Sequence, residues 1–106
     1  MTYRTRFEII TQILQTTLNA NSNAGGATKT EIMYDVFLNH TQVQQYLSIL
    51  TESEMLQSDK RMQKFRITQK GQEFLRLSSE MDQLVRYRKE SLLQLNHNNN
   101  NRNISI

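Results

Sequence analysis

The sequence predicts a mainly α fold that carries one small β-hairpin. Three observations lead to it. The 106 residues include no Pro and only 3 Gly, so the two strongest helix breakers are nearly missing. Apolar residues recur at spacings of three and four along most of the chain, the period of a helix face. One short stretch, Gln63 to Ile67, alternates instead, as a strand does.

The first helix is expected from about Thr2 to Ala20. Phe7, Ile10, Leu14 and Leu18 share a face with Ile13 beside them, while Thr5, Glu8, Gln12 and Gln15 fall elsewhere on the wheel. It is expected to stop near Asn19, and Asn21 to Gly26 reads as a loop of residues that favour turns. Thr28-Lys29-Thr30-Glu31 opens a short second helix, because Thr at the cap and Glu three residues on form a capping box. Ile32, Met33 and Val36 give it an apolar face. Asn39 and Gln42 repeat the capping device for a third helix, whose apolar positions are Val43, Tyr46, Leu47 and Leu50. Two short helices joined by a tight turn make the helix-turn-helix pattern.

Met55 to Ser58 is a strand candidate, followed by a turn at Asp59-Lys60-Arg61 with a two-residue Lys-Arg tip. In Gln63 to Ile67, Phe65 and Ile67 fall on one face and Lys64 and Arg66 on the other. Thr68 caps the last helix, and Gly71 permits close packing near its start. That helix begins near Gln69 and runs to Asn96, roughly 42 Å at 1.5 Å per residue. Phe74, Leu75 and Leu77 are expected to pack on the domain, with the distal half projecting beyond it. The organisation expected is a domain over residues 2–78, a helical extension over 79–96, and an Asn-rich disordered tail over 97–106.

Composition bounds the function. The chain is one domain in size and would bury roughly two thirds of its unfolded surface, so it gains from a partner subunit. Thirteen Lys and Arg against ten Asp and Glu give a net charge of +3, which permits an anionic partner without demanding one. The absence of Cys excludes a disulfide scaffold, a thiol nucleophile and Cys-containing zinc sites. His40 and His97 lack a carboxylate at metal-ligand spacing, so no metal or other cofactor is expected. Ala24-Gly25-Gly26-Ala27 lacks the spacing of a phosphate-binding loop, and no nucleophile, base and acid set stands out. A non-enzymatic chain is expected. No stretch approaches the roughly 18 apolar residues of a membrane span, and the polar start MTYRTRFEII has no signal-peptide core. The expectation is a cytoplasmic protein with no membrane or small-molecule partner.

The order of helix, helix, helix, two-stranded hairpin and long helix is that of a winged helix-turn-helix domain. The segments Arg6-Phe7-Glu8-Ile9-Ile10, Thr28 to Tyr34, Gln45-Tyr46-Leu47 with Leu50, and Phe65 to Leu75 carry a closer likeness. Over about Tyr3 to Leu84 the chain resembles the archaeal ArnR-like winged-helix regulators and the related small dimeric chromatin-associated proteins. It departs from them in carrying Glu54 where Gly usually follows the third helix, and in having no Gly in the wing turn. The resemblance implies a homodimer that binds double-stranded DNA. The third helix would enter the major groove, the wing would touch backbone or minor groove, and the last helices of two chains would pair as an antiparallel coiled coil.

Carried onto this chain, the reading face is Thr41, Gln42, Gln44, Gln45 and Ser48. Gln pairs bidentately with adenine N6 and N7, and Ser or Thr bonds several bases. No formal charge lies between Asn39 and Leu50, whereas solvated helix faces usually mix Glu and Lys. Affinity would come from the wing, since phosphate contacts dominate it. Between Asp59 and Lys70 five basic residues face one acid. Lys60, Arg61 and Lys64 are the wing contacts, and Lys29 and Thr30 are phosphate anchors at the second helix. The dimer stripe is Met81, Leu84, Val85, Arg88, Leu92 and Leu95, with Arg88 setting register against Glu80 or Glu90 of the mate. The alternatives are an architectural nucleoid protein of weak sequence preference and a winged-helix protein-interaction module.

Overall fold

The computed structural model describes residues 4–102, with side chains described through residue 86 apart from residue 23. Helix α1 spans Arg6–Ala24, α2 Lys29–Asp35 and α3 His40–Glu52; strands β1 (Leu56–Asp59) and β2 (Lys64–Ile67) form an antiparallel hairpin, and α4 spans Gln69–Arg102. The expected order of elements holds. The chain divides after Arg76 into two units, Met1–Arg76 and Leu77–Ile106.

Each of the first three helices starts at a reciprocal capping box. Thr5 pairs with Glu8, Thr28 with Glu31, and Asn39 with Gln42. In each, the cap side chain accepts the third residue's N–H and that residue's side chain accepts the cap's N–H, satisfying two orphan donors. The first box corrects the expectation for α1, which begins at Arg6 rather than Thr2. Its end is also later, at Ala24 instead of near Asn19. Asn and Ser lower helix propensity by only fractions of a kcal/mol each; the stop comes from Gly25, whose φ of 73° takes the left-handed cap conformation. The connecting loop therefore shrinks to Gly25 through Thr28.

Ile13, Leu14, Ile32, Val36, Val43, Leu47, Leu50, Leu56 and Ile67 form the buried core, each contributing about 1.5–3 kcal/mol of transfer free energy. Thr17 is buried with them and returns its hydroxyl proton to the Leu14 carbonyl at 2.8 Å. Phe7 is exposed on α1's outer edge but stacks at a tilt on Phe74, centroids 5.3 Å apart. Phe74 and Leu75 pack on the core as expected, whereas Leu77 is exposed.

The hairpin is tied to α1 and α2 by backbone. Ala27 and Phe65 exchange both ladder hydrogen bonds, at 3.0 and 2.7 Å. Gly26 makes this approach possible: a Cβ there would lie 2.7 Å from the Phe65 carbonyl oxygen. A second clasp closes the other end of the hairpin. The Thr68 N–H donates to Met55 O at 3.0 Å, its hydroxyl donates to Glu54 O at 2.6 Å, and the same hydroxyl oxygen accepts the Gly71 N–H at 3.0 Å. A Cβ on Gly71 would collide with Met55 O and Ile67.

Three non-glycine residues take positive φ: Phe37 at 57°, Glu54 at 62° and Gln63 at 57°. Each ends or begins an element, and each carries about 1–2 kcal/mol of left-handed strain. Helix α4 continues six residues past the expected end at Asn96, to Arg102, since no Gly or Pro follows Gly71 to stop it. The rest of the Asn-rich tail lies outside the described residues. No described helix is long and apolar enough to cross a membrane.

Glu54→Gly and Gln63→Gly should each raise stability by about 0.5–1 kcal/mol, the relieved strain being partly offset by added freedom of the unfolded chain. Gly71→Ala should lower it by about 1–3 kcal/mol through overpacking. Denaturant titration of the three variants reads both signs.

Candidate nucleic-acid interface

Helix α3 buries one face and turns the other to solvent, with apolar Ile49 also 41% exposed. Val43, Leu47 and Leu50 are buried and Tyr46 is half-buried. Thr41, Gln42, Gln44, Gln45 and Ser48 are all exposed. The period of 3.6 places these polar positions opposite the buried stripe. Gln42 is partly committed, because its Oε1 accepts the Asn39 N–H at 3.0 Å; its amide N–H groups stay available.

The capping box at α2 brings a cation to this face. Lys29 follows the Thr28 cap directly, and its Nζ donates to Gln44 Oε1 and lies 3.1 Å from His40 Nε2. Two expected site residues from different helices thus meet, joined by His40, which the sequence places at the turn or near a phosphate. Thr30 is exposed one residue on. Thr28, Lys29 and Thr30 also line one side of a cleft of about 630 Å³ whose other side is Ser58, Asp59, Lys60, Gln63 and Phe65. The N-terminus of α2 and the wing therefore share one groove.

The wing tip differs from the expected two-residue turn. It is a four-residue loop, Lys60 to Gln63, between paired Asp59 and Lys64. Asp59 sets it: one carboxylate oxygen accepts the N–H groups of both Arg61 and Met62 at 3.1 Å, an Asx turn. Gln63 then closes the loop with its positive φ. Lys60, Arg61 and Met62 are exposed, Met62 at 56%. The scattered methionines are expected from the sequence to fill the core; the Asx turn instead places Met62 in solvent at the tip.

Lys64 and Arg66 do less at the surface than their charge implies. Lys64 is half-buried and donates to Ala24 O at 2.7 Å, while Arg66 donates to Gly25 O at 3.0 Å and pairs with Asp59 at 3.3 Å. They fasten the wing to the end of α1. The exposed Arg66–Asp59 pair adds only about 0–1 kcal/mol. Arg4 acts similarly at the helix-turn-helix corner, donating to Val36 O at 2.7 Å and Phe37 O at 3.3 Å.

In the second unit Met81, Leu84 and Val85 are 57%, 71% and 63% exposed. The side chains of Arg88, Leu92 and Leu95 lie outside the described residues. Among the described residues no group of three His, Asp or Glu side chains could hold a metal ion.

Three helices, a two-stranded wing and a solvent-facing third helix define the class. The profile of the winged helix-turn-helix family matches residues 3–86, and the chain belongs to that family. Its fold is similar to that of Sso10a-2, a DNA-binding protein from Sulfolobus solfataricus, with a TM-score of 0.71 over 89% of this chain and 95% of that one, at 18% identity. No curated protein matches the chain by sequence.

Hydrogen bonds from the Thr28 backbone and side chain, helped by the charge of Lys64, hold the Glu31 carboxyl below its ordinary range. With the folded value depressed, its stabilising contribution is full above the unfolded carboxylate range and is lost as pH falls through the folded value. Thr28→Ala should lower stability by about 1 kcal/mol near neutral pH. Glu31→Gln keeps a neutral capping partner, so its stability should fall less than the native chain's between about pH 6 and about pH 3, as read by thermal melts across that range.

Proposed function

We propose that this chain is a homodimeric transcriptional regulator that binds double-stranded DNA, with α3 in the major groove and the wing tip on the backbone or minor groove. We place it with the ArnR-like regulators on the segments quoted above. The observation that carries the reading is the pairing of two surfaces within one unit. The exposed face of α3 bears amides and hydroxyls suited to base edges, and beside it stands a stiffened basic loop suited to phosphates. The family and the DNA binding stated for a protein of like fold support the same reading. The chain has no catalytic role in it.

The exposed apolar stripe of Met81, Leu84 and Val85 supports the homodimer, because unpaired apolar side chains at heptad spacing are best covered by a second such helix. A protein-interaction role draws on a different observation. Tyr34 and Phe37, at the end of α2, are 71% and 84% exposed, a pair of aromatics that a protein partner would cover.

Selection from a pool of random duplexes at two salt concentrations tests the function. An enriched motif with two half-sites establishes a regulator; uniform, salt-sensitive retention establishes the architectural reading; no retention at low salt turns the reading to a protein partner. Lys60→Ala with Arg61→Ala should weaken binding to every duplex and reduce the slope of log affinity against log salt by about 2. In sedimentation the native chain should show twice the 12.5 kDa of a single chain. Leu84→Glu with Val85→Glu should reduce it to one.

A further inference from the structure

We propose that Lys29 and Gln44 act as one unit that reads a guanine, with Lys29 fixing the direction in which the Gln44 amide is presented. The proposal rests on the DNA-binding reading above and deepens it.

The argument is a count of donors. An ammonium has three N–H donors and no acceptor. Lys29 Nζ directs one to Gln44 Oε1 and has His40 Nε2 at 3.1 Å for a second. One donor remains. The carbonyl end of Gln44 is turned to Lys29, so the amide nitrogen, with its two N–H groups, is the end left for a ligand. His40 and Gln44 are exposed on α3 and Lys29 is half-buried at its flank. The unit as a whole offers donors to whatever approaches.

Base edges in the major groove answer this differently. Guanine shows two acceptors, N7 and O6; adenine shows one acceptor and the N6 amino donor. A free Gln suits adenine because its oxygen takes the N6 proton. Here that oxygen faces an ammonium, whose positive charge repels a further donor proton. Two donors, the remaining ammonium proton and a Gln44 amide N–H, instead match the two acceptors N7 and O6. The sequence alone, with Gln44 taken by itself, points to adenine; the contact from α2 reverses the preference. Lys29 lies 15 positions before Gln44, and only the angle between α2 and α3 brings them together.

The test uses the full chain and a random duplex pool, retained at low salt and sequenced. The native protein should enrich guanine at one position of its half-site. Lys29→Met keeps the aliphatic stem and removes the charge, and should move that position toward adenine, changing the guanine-to-adenine ratio by on the order of tenfold with the rest of the motif unchanged. Gln44→Ala should erase preference at that same position and no other, which keeps the proposal testable should Lys29→Met fail to fold. Enrichment of adenine by the native chain overturns the inference. So does a loss of affinity in Lys29→Met that is equal on all duplexes, which would mean that Lys29 touches only phosphate. Retention without any motif overturns base reading while leaving DNA binding intact. No retention of any duplex by the native chain overturns both.

Discussion

The exchange of two backbone hydrogen bonds between Ala27 and Phe65 joins the loop before α2 to the second strand of the wing, and the arrangement of the candidate surface follows from it. Two-stranded hairpins are marginal alone in water. Here β2 gains a second pairing partner, and Lys64 and Arg66 add side-chain bonds to Ala24 O and Gly25 O. Because Ala27 is one residue from the Thr28 cap, the bridge also fixes where α2 begins. Lys29 and Thr30 are thereby held across a cleft from Lys60. Gly26 is the residue that allows it, since a side chain there would meet the Phe65 carbonyl.

The helices are specified locally and the corners are not. Three capping boxes start α1, α2 and α3, each a short-range signal satisfied by two hydrogen bonds. The corners after α2, after α3 and within the wing use Phe37, Glu54 and Gln63 in left-handed backbone, a conformation that Gly adopts without strain. Surrounding bonds hold these positions. Arg4 donates to the carbonyl of Phe37, Thr68 to that of Glu54, and Asp59 accepts from the loop that Gln63 closes. The absence of Gly at the Glu54 and wing positions was visible as a departure from related sequences; that the backbone nonetheless keeps positive φ there at Glu54 and Gln63 is a tertiary fact.

Charge and readout separate along the same lines. The third helix carries no formal charge from Asn39 to Leu50, so its own exposed face supplies hydrogen-bonding groups without long-range attraction. Attraction comes from Lys60 and Arg61 on the wing, held outward by an Asx turn, and from Lys29 on α2. Of the wing's basic residues, Lys64 and Arg66 serve mainly to fasten it. A count of positive charges overstates what the wing offers a phosphate, because a cation bonded to backbone carbonyls is less free to follow one.

By itself the sequence determined the element order, the three-helix start with its caps at Thr28 and Asn39, the buried faces of α2 and α3, and the exposed set Thr41, Gln42, Gln44, Gln45 and Ser48. These follow from periodicity and from hydrogen bonds spanning three residues, which a linear reading captures. It misjudged the ends of α1, because Thr5 looked like an ordinary wheel position and Asn-rich helix is only slightly unfavourable. Tertiary structure alone decided which cations are spent on backbone carbonyls, how far the wing tip extends, and that Lys29 and His40 meet Gln44. Those contacts join residues far apart in the chain or depend on the angle between helices, and neither spacing nor composition encodes such an angle.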